Sequence, residues 1–396
     1  MTAGSLSLAL AGKPNAGKST FFRAATLADV EIGNYPFTTI DANRGVTHVR
    51  TDCPCLDRDE RCDSENCHDG IRFVPVELLD VAGLVPGAHE GRGLGNQFLD
   101  ALSNADAVLN VVDASGGTNA EGEPVEVGAY DPVQDVDFVR EEMDLWLAGI
   151  VDRNWETVER QSRSPDFDLE DALTELLTGF GASEPSVAAT LRSVAYPDDP
   201  RSWTDEDRER LARELRARTK PILVVGNKAD VADTDTIDQL RNAASDVVPT
   251  TAEGELALRQ ASDAGAIEYE PGDPEFTIVE ELTAEQDEGL ERIQSVMHEW
   301  DGTGVQSALD TAVYDRLDYI TVYPVQNETN WTDGQGTVLP DAVLLPHGAT
   351  PTDLAYAVHS DIGDGYLHAV DARDGRRVSD DHELTEGDVI KVVSTT

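Results

Sequence analysis

Gly12-Lys-Pro-Asn-Ala-Gly-Lys-Ser19 decides the reading of this chain. The octet has the form GxxxxGK[ST]. It follows an apolar, strand-like run at 6–12 and precedes a helical segment at 20–27, the context in which this pattern binds phosphate. Gly12 and Gly17 let the backbone curl so that N–H groups across Asn15, Ala16, Gly17, Lys18, Ser19 and Thr20 face an anion. The helix N-terminus adds its dipole. Lys18 is expected to reach the β- and γ-phosphates of a nucleotide, and Ser19 to offer its hydroxyl to Mg²⁺.

Further strand ends complete the pattern. Asp80-Val-Ala-Gly83 closes the apolar run 73–79. A carboxylate at a strand end opposite a phosphate loop can hold Mg²⁺ through water, and Gly83 leaves room for a backbone N–H beside the γ-phosphate. Asn227-Lys-Ala-Asp230 follows the apolar run 221–226. The Asp230 carboxylate can accept both N1–H and the 2-amino group of guanine. Adenine lacks that donor pair, so Asp230 selects GTP over ATP. Asn227 braces the loop, and the Lys228 stem lies along the base. Thr251-Ala252-Glu253, after Val247-Val-Pro249, fits the short loop whose backbone N–H contacts guanine O6. Phosphate loop, threonine-bearing loop, DxxG, NKxD and TAE occur in that order, each after an apolar strand. This is the order of a Ras-like GTPase domain: an α/β, doubly wound sheet with ligands at the carboxyl ends of its strands.

Asn34-Tyr-Pro-Phe-Thr-Thr-Ile40 resembles the first switch of Obg-type GTPases. Gly83-Leu-Val-Pro-Gly-Ala-His-Glu-Gly-Arg-Gly-Leu-Gly-Asn-Gln-Phe98 resembles their glycine-rich second switch. The combination most resembles the YchF-like branch of the Obg superfamily. Bacterial and eukaryotic members carry Glu for the last Asp of NKxD and prefer ATP. Asp230 makes this chain similar to the archaeal-type relatives that keep guanine specificity. The resemblance puts the Mg²⁺-binding switch threonine at Thr39, with Thr38 second. Leu84 stands where Ras-like enzymes have a water-orienting Gln. Leucine cannot hydrogen-bond to water, which leaves the catalytic group open. His89, five residues on, is one candidate; the other reading is a surface histidine in a mobile loop. The candidate catalytic residues are therefore Lys18, Thr39, Gly83 and His89. Asn15 occupies the position where cation-stimulated GTPases place a K⁺-binding asparagine; the alternative is a hydrogen bond within the loop.

Cys53, Cys55, Cys62 and Cys67 fall within fifteen residues, with His68 beside the last, in a polar hairpin at 51–70. A cytoplasmic setting disfavours disulfides, and four thiolates so close together suit a structural Zn²⁺. The C-x-C-x₆-C-x₄-C-H spacing departs from paired CxxC knuckles. An unligated or redox-responsive hairpin therefore stands beside zinc as a reading.

The 396 residues include 77 acidic and 30 basic ones, for a formal net charge of −47. The acids are spread along the chain rather than gathered in a tail. They read as a solvated surface suited to a salt-saturated cytoplasm. Such a surface argues against non-specific nucleic-acid binding, and no DNA partner is expected. The five lysines are Lys13, Lys18, Lys220, Lys228 and Lys391, and two of them fall inside nucleotide motifs. No run approaches the roughly 20 apolar residues of a membrane span, and no secretory signal is evident. A cytoplasmic protein with no membrane partner is expected.

About 145 residues separate DxxG from NKxD, far more than a Ras-like core needs. Val139, Met143, Trp146 and Ile150 keep helical spacing, as do Leu169, Leu173, Leu176 and Leu177, and 205–219 reads as a charged helix. The expected division is a GTPase domain in two parts, 1–118 and 220–314, a helical insertion at 119–219, and a β-rich domain at 315–396. By the family resemblance the insertion is a hairpin arm; the other reading is a plain packing extension with no partner. A helix at 284–300 carries Leu290, Ile293, Met297 and Trp300 on one face. Strands are expected at 319–325, 338–345, 366–370 and 389–393. Leu345-Pro-His-Gly-Ala-Thr-Pro-Thr-Asp-Leu-Ala355 and Leu384-Thr-Glu-Gly-Asp-Val-Ile390 resemble the TGS domain, a ubiquitin-like β-grasp fold of translation-linked GTPases and threonyl-tRNA synthetases. That resemblance implies a ribosome, RNA or translation-factor partner. Yet 317–396 carries 14 acids and 4 bases, and its basic knot, Arg373, Arg376 and Arg377, reads equally as an ordinary hairpin tip. The expected function is a GTPase switch that converts GTP to GDP and phosphate. The alternatives are a nucleotide-sensing RNA- or ribosome-binding scaffold with negligible hydrolysis, and an ATPase.

Overall fold

The computed structural model describes residues 6–26, 44–58, 61–62, 64–81, 83–84, 86–90 and 95–395. Thr38 and Thr39 lie outside the described residues. A seven-stranded sheet is built from β1 (Ser7–Ala11), β2 (Arg44–Asp52), β3 (Cys67–His68), β4 (Ile71–Asp80), β5 (Ala107–Asp113), β6 (Ile222–Asn227) and β7 (Val247–Thr250). Its order is β2-β4-β1-β5-β6-β7, with β3 also paired to β4. Every residue of β1 and β5 is buried, as strands covered on both faces require. β4, β1, β5, β6 and β7 are parallel neighbours, so their carboxyl ends meet at one edge. The phosphate loop, Asp80, Asp113, Asn227 and Thr251 all leave from that edge. β2 runs antiparallel to β4 and carries the chain away from it.

The two largest cores among the described residues pack against the sheet. On one, α1 (Lys18–Thr26) contributes Phe21 and Ala25, packed with Leu8, Leu10, Val49, Val225, Leu309 and Val313. On the other, α2 (Gly95–Ser103) and the insertion pack together with Ala9, Leu79 and Val108. The insertion forms α3 (Phe138–Gln161), α4 (Leu169–Leu177), α5 (Glu184–Ser193) and α6 (Asp205–Thr219). Helix α3 buries Val139, Met143, Leu147, Val151, Trp155 and Val158 against the core. Truncating Leu147 to Ala would cost about 2–5 kcal/mol. The expected stripe through Trp146 and Ile150 is turned by one residue: those two lie at its half-buried border. Helix α6 starts on a capping box, Thr204 with Asp207, has three acids in its first turn, and has Arg216 and Arg218 in its last. The arginine- and glutamate-rich run is thus a helix matched to its own dipole, and it buries Leu211, Ala212 and Leu215.

Helices α7 (Thr234–Ala243) and α8 (Ala252–Asp263) follow β6 and β7. A short ladder, β8 (Ile267–Glu268) with β9 (Thr277–Ile278), precedes α9 (Ala284–Trp300) and α10 (Val305–Asp310). In α9, Leu290 and Met297 are buried. The C-terminal region is a five-stranded sheet of β10 (Tyr319–Val325), β11 (Val343–Pro346), β12 (Tyr366–Asp371), β13 (Arg376–Val378) and β14 (Val389–Ser394), in the order β11-β10-β14-β12-β13. Its central pair, β10 and β14, is parallel, and α11 (Pro351–Val358) and α12 (Ser360–Asp364) fill the crossover, the β-grasp arrangement. The strand expected at 338–345 is shorter. Thr332 and Val338 form an isolated bridge, and the ladder with β10 begins only at Val343. Among the described residues no helix is long and apolar enough to cross a membrane.

Candidate nucleotide site

The phosphate loop has the backbone that its glycines allow. Gly12 lies at φ +133° and Gly17 at φ +102°, and a Cβ would stand 2.3 Å from the Val111 carbonyl oxygen and 2.0 Å from Asn227 Nδ2, respectively. Lys18 opens α1 with its ammonium at the centre of the loop, donating to the carbonyls of Gly12 at 3.1 Å and Lys13 at 2.8 Å. Burial pulls its pKa down to about 8, with the Asp80 charge opposing. The Ser19 hydroxyl donates to Asp80 Oδ2 at 2.8 Å, so the two expected Mg²⁺ ligands, 61 residues apart, share one point. Thr20 occupies the first turn of α1. Gly83 lies against the loop, where a Cβ would come within 2.8 Å of Pro14. The Leu84 amide donates to the Gly12 carbonyl at 3.0 Å, while its side chain is buried in the core with Leu99 and Met143.

The 227–230 loop is tied to the phosphate loop by hydrogen bonds. Asn227 Nδ2 donates to the Ala16 carbonyl at 2.9 Å, and its Oδ1 accepts the Ala252 amide at 3.1 Å. Lys228 Nζ donates to the Asn15 carbonyl at 3.0 Å and pairs with Asp113 at 2.8 Å. Thr251 caps α8 by accepting the Gly254 amide at 3.2 Å. Asp230 and Glu253 are exposed on this edge. Asn15 lies at φ +61°, and its amide donates to the Gly122 carbonyl at 2.9 Å.

Sequence reading missed three partners of this site. Asp113 is wholly buried; burial alone would raise its pKa, but donors from Lys228, Ser115 and Thr118 hold it below the usual carboxylate range. Lys13 is buried against Asp135 at 2.7 Å and beneath the Tyr130 ring. Glu142, from α3, accepts the amides of Gly87 at 2.7 Å and His89 at 2.9 Å, and the His89 imidazole Nδ1 at 2.7 Å. Burial opposes its ionisation, and these donors outweigh burial, so its pKa sits below the ordinary value. His89 is therefore held by the helical insertion rather than loose on the surface. An acidic residue at a strand end flags Asp113 in the sequence, whereas nothing local flags Glu142.

The four cysteines converge away from the nucleotide edge. Cys53 and Cys62 sulfurs lie 3.8 Å apart, Cys55 and Cys67 sulfurs 3.9 Å apart, and all four lie within 4.8 Å of one another. Hydrogen bonds with Cys53 and Cys67, aided by Arg72, hold Cys62 below the ordinary thiol range, while bonds with Cys53 and Cys62 push Cys67 up. The donor set of four clustered sulfurs can hold a metal ion.

Residues 7–139 match the family described as 50S ribosome-binding GTPase, 225–327 the Obg-like GTPase YGR210-like G4 motif-containing domain, and 335–394 the TGS domain. A GTP-binding protein of Methanocaldococcus jannaschii is 44% identical over 98% of each chain. The ribosome-binding ATPase YchF of Bacillus subtilis is 28% identical over 97% of this chain and 98% of its own. The crystal structure of a GTP-binding protein from Pyrococcus horikoshii superposes with a TM-score of 0.79 at 36% identity, covering 98% of this chain and 100% of that one.

Proposed function

The chain belongs to the YchF-like branch of the Obg-like GTP-binding proteins, and we propose that it binds GTP with Mg²⁺ and hydrolyses it to GDP and phosphate as a molecular switch. The observation that carries this reading is the Ser19–Asp80 contact at 2.8 Å beside the buried Lys18 ammonium. A hydroxyl and a carboxylate oxygen are hard donors that suit Mg²⁺. Ser19 would hold the ion directly, Asp80 through water, and Thr39 of the first switch is the third proposed ligand. When bound, the ion neutralises charge on the phosphate oxygens. The loop amides and Lys18 bind and orient the phosphates. The Gly83 backbone meets the γ-phosphate, and His89 positions water. Asn227, Lys228, Asp230 and the 251–253 loop read guanine. K⁺ beside Asn15 is proposed as a second cation.

The proposed setting is a salt-rich cytoplasm. The proposed partner is the ribosome, its RNA or a translation factor, supported by the match to the 50S ribosome-binding GTPase family, by the similarity to the ribosome-binding ATPase YchF and by the C-terminal β-grasp domain. The proposed division keeps 1–118 with 220–314 as the GTPase domain, 119–219 as its insertion and 315–396 as the docking domain. Steady-state phosphate release, GTP against ATP in high KCl, tests the reading. GTP should bind at least about tenfold more tightly, and Asp230→Asn should move preference toward xanthine nucleotides. Equal affinity for ATP, or no release from either, would overturn it. Co-sedimentation with ribosomes in a GTP analogue but not in GDP tests the partner.

A further inference from the structure

The four sulfurs cluster near the spacing of a tetrahedral metal site. A zinc–thiolate bond of about 2.3 Å puts the corners of a regular tetrahedron about 3.8 Å apart. The closest pairs here stand at 3.8 and 3.9 Å, and the widest within 4.8 Å. A disulfide would instead require sulfurs at about 2.0 Å. Cys53 and Cys55 are buried, and among its described residues the segment between β2 and β3 has one short helical turn, Pro54–Asp57, as regular structure.

The surroundings supply the complementary charge. Arg72 is 1% exposed, and its Nη2 lies 3.7 Å from both Cys53 Sγ and Cys62 Sγ. A buried guanidinium is costly without an anionic neighbour. Four thiolates around one divalent cation carry a net charge of −2, which places that anion beside it. Arg72 also donates to Ser64 Oγ at 2.7 Å and to the Leu339 carbonyl at 2.6 Å, and so it bridges the cysteine hairpin to the C-terminal domain.

That bridge belongs to a wider contact. Cys53 and Cys55 share one core with Tyr323, Val325, Trp331, Leu339, Ala372 and Val389. Arg58 lies over the Trp331 ring at 4.8 Å, Arg373 lies over the same ring and pairs with Asp57, and Thr51 donates to Glu386 at 2.7 Å. Arg373, the first residue of the basic knot, is therefore spent inside the molecule.

We propose that Cys53, Cys55, Cys62 and Cys67 bind one structural Zn²⁺ that clasps the hairpin of the GTPase domain to the β-grasp domain, with Arg72 linking the metal centre to Leu339. The assignment is independent of the nucleotide reading. Among the described residues the hairpin tip contributes only its four cysteines to that core, and a tetrathiolate centre orders them. With that order it presents Asp57 and Arg58 to the second domain, where they meet Arg373 and the Trp331 ring.

The test uses the full chain, purified in high KCl without chelator. Elemental analysis should find one zinc per chain, and an organomercurial titrating the thiols should release it. Cys62→Ser should lower the zinc content, and Arg72→Met should weaken retention against a chelator on the order of tenfold while the bound stoichiometry at saturating zinc stays the same. Hydrogen exchange at 53–67 and 331–345 should quicken when the metal is stripped, while GDP still binds. Metal-free protein with four free thiols, iron in place of zinc, or disulfides Cys53–Cys62 and Cys55–Cys67 would each overturn the assignment. Zinc whose removal leaves exchange at 331–345 unchanged would overturn the clasp.

Discussion

Glu142, in the first helix of the insertion, accepts the His89 imidazole at 2.7 Å and the two backbone amides of Gly87 and His89 beside it. One side chain thus ties the Gly87–His89 turn to a helix of the insertion. A carboxylate with three donors costs a great deal to leave unpaired, so the contact favours one arrangement of that loop. It makes Glu142 a positioning residue for His89.

If His89 orients the attacking water, Glu142→Ala should lower single-turnover GTP hydrolysis on the order of tenfold to a hundredfold, because small misplacements of a reacting group are that expensive. GDP affinity should not change. Glu142→Gln keeps an oxygen for the amides and should recover part of the rate. Combining Glu142→Ala with His89→Ala should add little to either alone, since the two act as one unit. A full additive loss would uncouple Glu142 from His89, and no loss in either single variant would separate His89 from catalysis.

The Ser19–Asp80 contact leads to a divalent-ion prediction. Wild-type affinity for GDP should rise when Mg²⁺ replaces EDTA. Ser19→Ala should shrink that gain at least about tenfold, a loss of ~1.4 kcal/mol. Asp80→Asn should shrink it less, because an amide oxygen still accepts from a metal-bound water. Fluorescent-GDP titrations with and without the ion read this directly. An unchanged Mg²⁺ gain in both variants would mean the ion is held elsewhere.

Much of this was legible in sequence because the motifs are local. Residues 12–19, 80–83 and 227–230 each carry their meaning within a few positions, and strand ends gather them without further instruction. The five lysines tell the same story more quietly. Lys13 meets Asp135, Lys228 meets Asp113, Lys391 meets Glu328, Lys18 meets two loop carbonyls, and Lys220 meets the Ala105 carbonyl at 2.6 Å. In a chain that has shed lysine elsewhere, each that remains has a partner. What stayed hidden is long-range. Arg72 and Leu339 are 267 residues apart, and no periodicity in β4 announces that its arginine points into a shared core. Helix α3 shows a milder limit. Its apolar positions run 139, 143, 146, 147, 150 and 151, and both stripes are compatible with 3.6 residues per turn until the neighbouring helices choose one.

Burial of Lys18 makes nucleotide affinity depend on pH. In the free protein its pKa is drawn down to about 8. Phosphate oxygens favour the ammonium form, so the complex has a higher pKa and binding takes up a proton above about pH 8. GDP affinity should be flat below pH 7 and fall as pH rises past 8, by up to about tenfold per unit. Stability without nucleotide has the opposite sign. The folded pKa lies below the ordinary lysine value of 10.5, so the burial cost is in full force below 8 and is relieved as pH rises toward 10.5. Calorimetry in buffers of different ionisation enthalpy counts the proton, and Lys18→Met should abolish the uptake. Uptake that survives in the variant would assign it to another group.

Asn15 sits at φ +61° in the phosphate loop, a conformation that asparagine tolerates better than most residues. Its Nδ2 donates to the Gly122 carbonyl at 2.9 Å, which fixes the amide plane and leaves the Oδ1 end without a hydrogen-bond partner among the described residues. That oxygen is a hard, neutral donor of the kind K⁺ takes. A cation beside the β/γ bridge would offset charge developing there, the task an arginine finger performs in other GTPases. Leu84 cannot share the task, because its side chain is buried in the core. The Gly122 contact also supports the simpler alternative, that Asn15 only braces the loop. GTP hydrolysis in KCl and NaCl at equal ionic strength separates the two. With potassium at Asn15, the KCl rate is higher and Asn15→Ala erases the difference. Asn15→Gly is the sharper variant, since it removes the side chain while accepting the left-handed backbone. It should match the alanine variant in losing the salt difference, yet keep more of the GDP affinity. Equal wild-type rates in the two salts, with matched thermal melts, would leave Asn15 as a brace and assign the offsetting charge to another group.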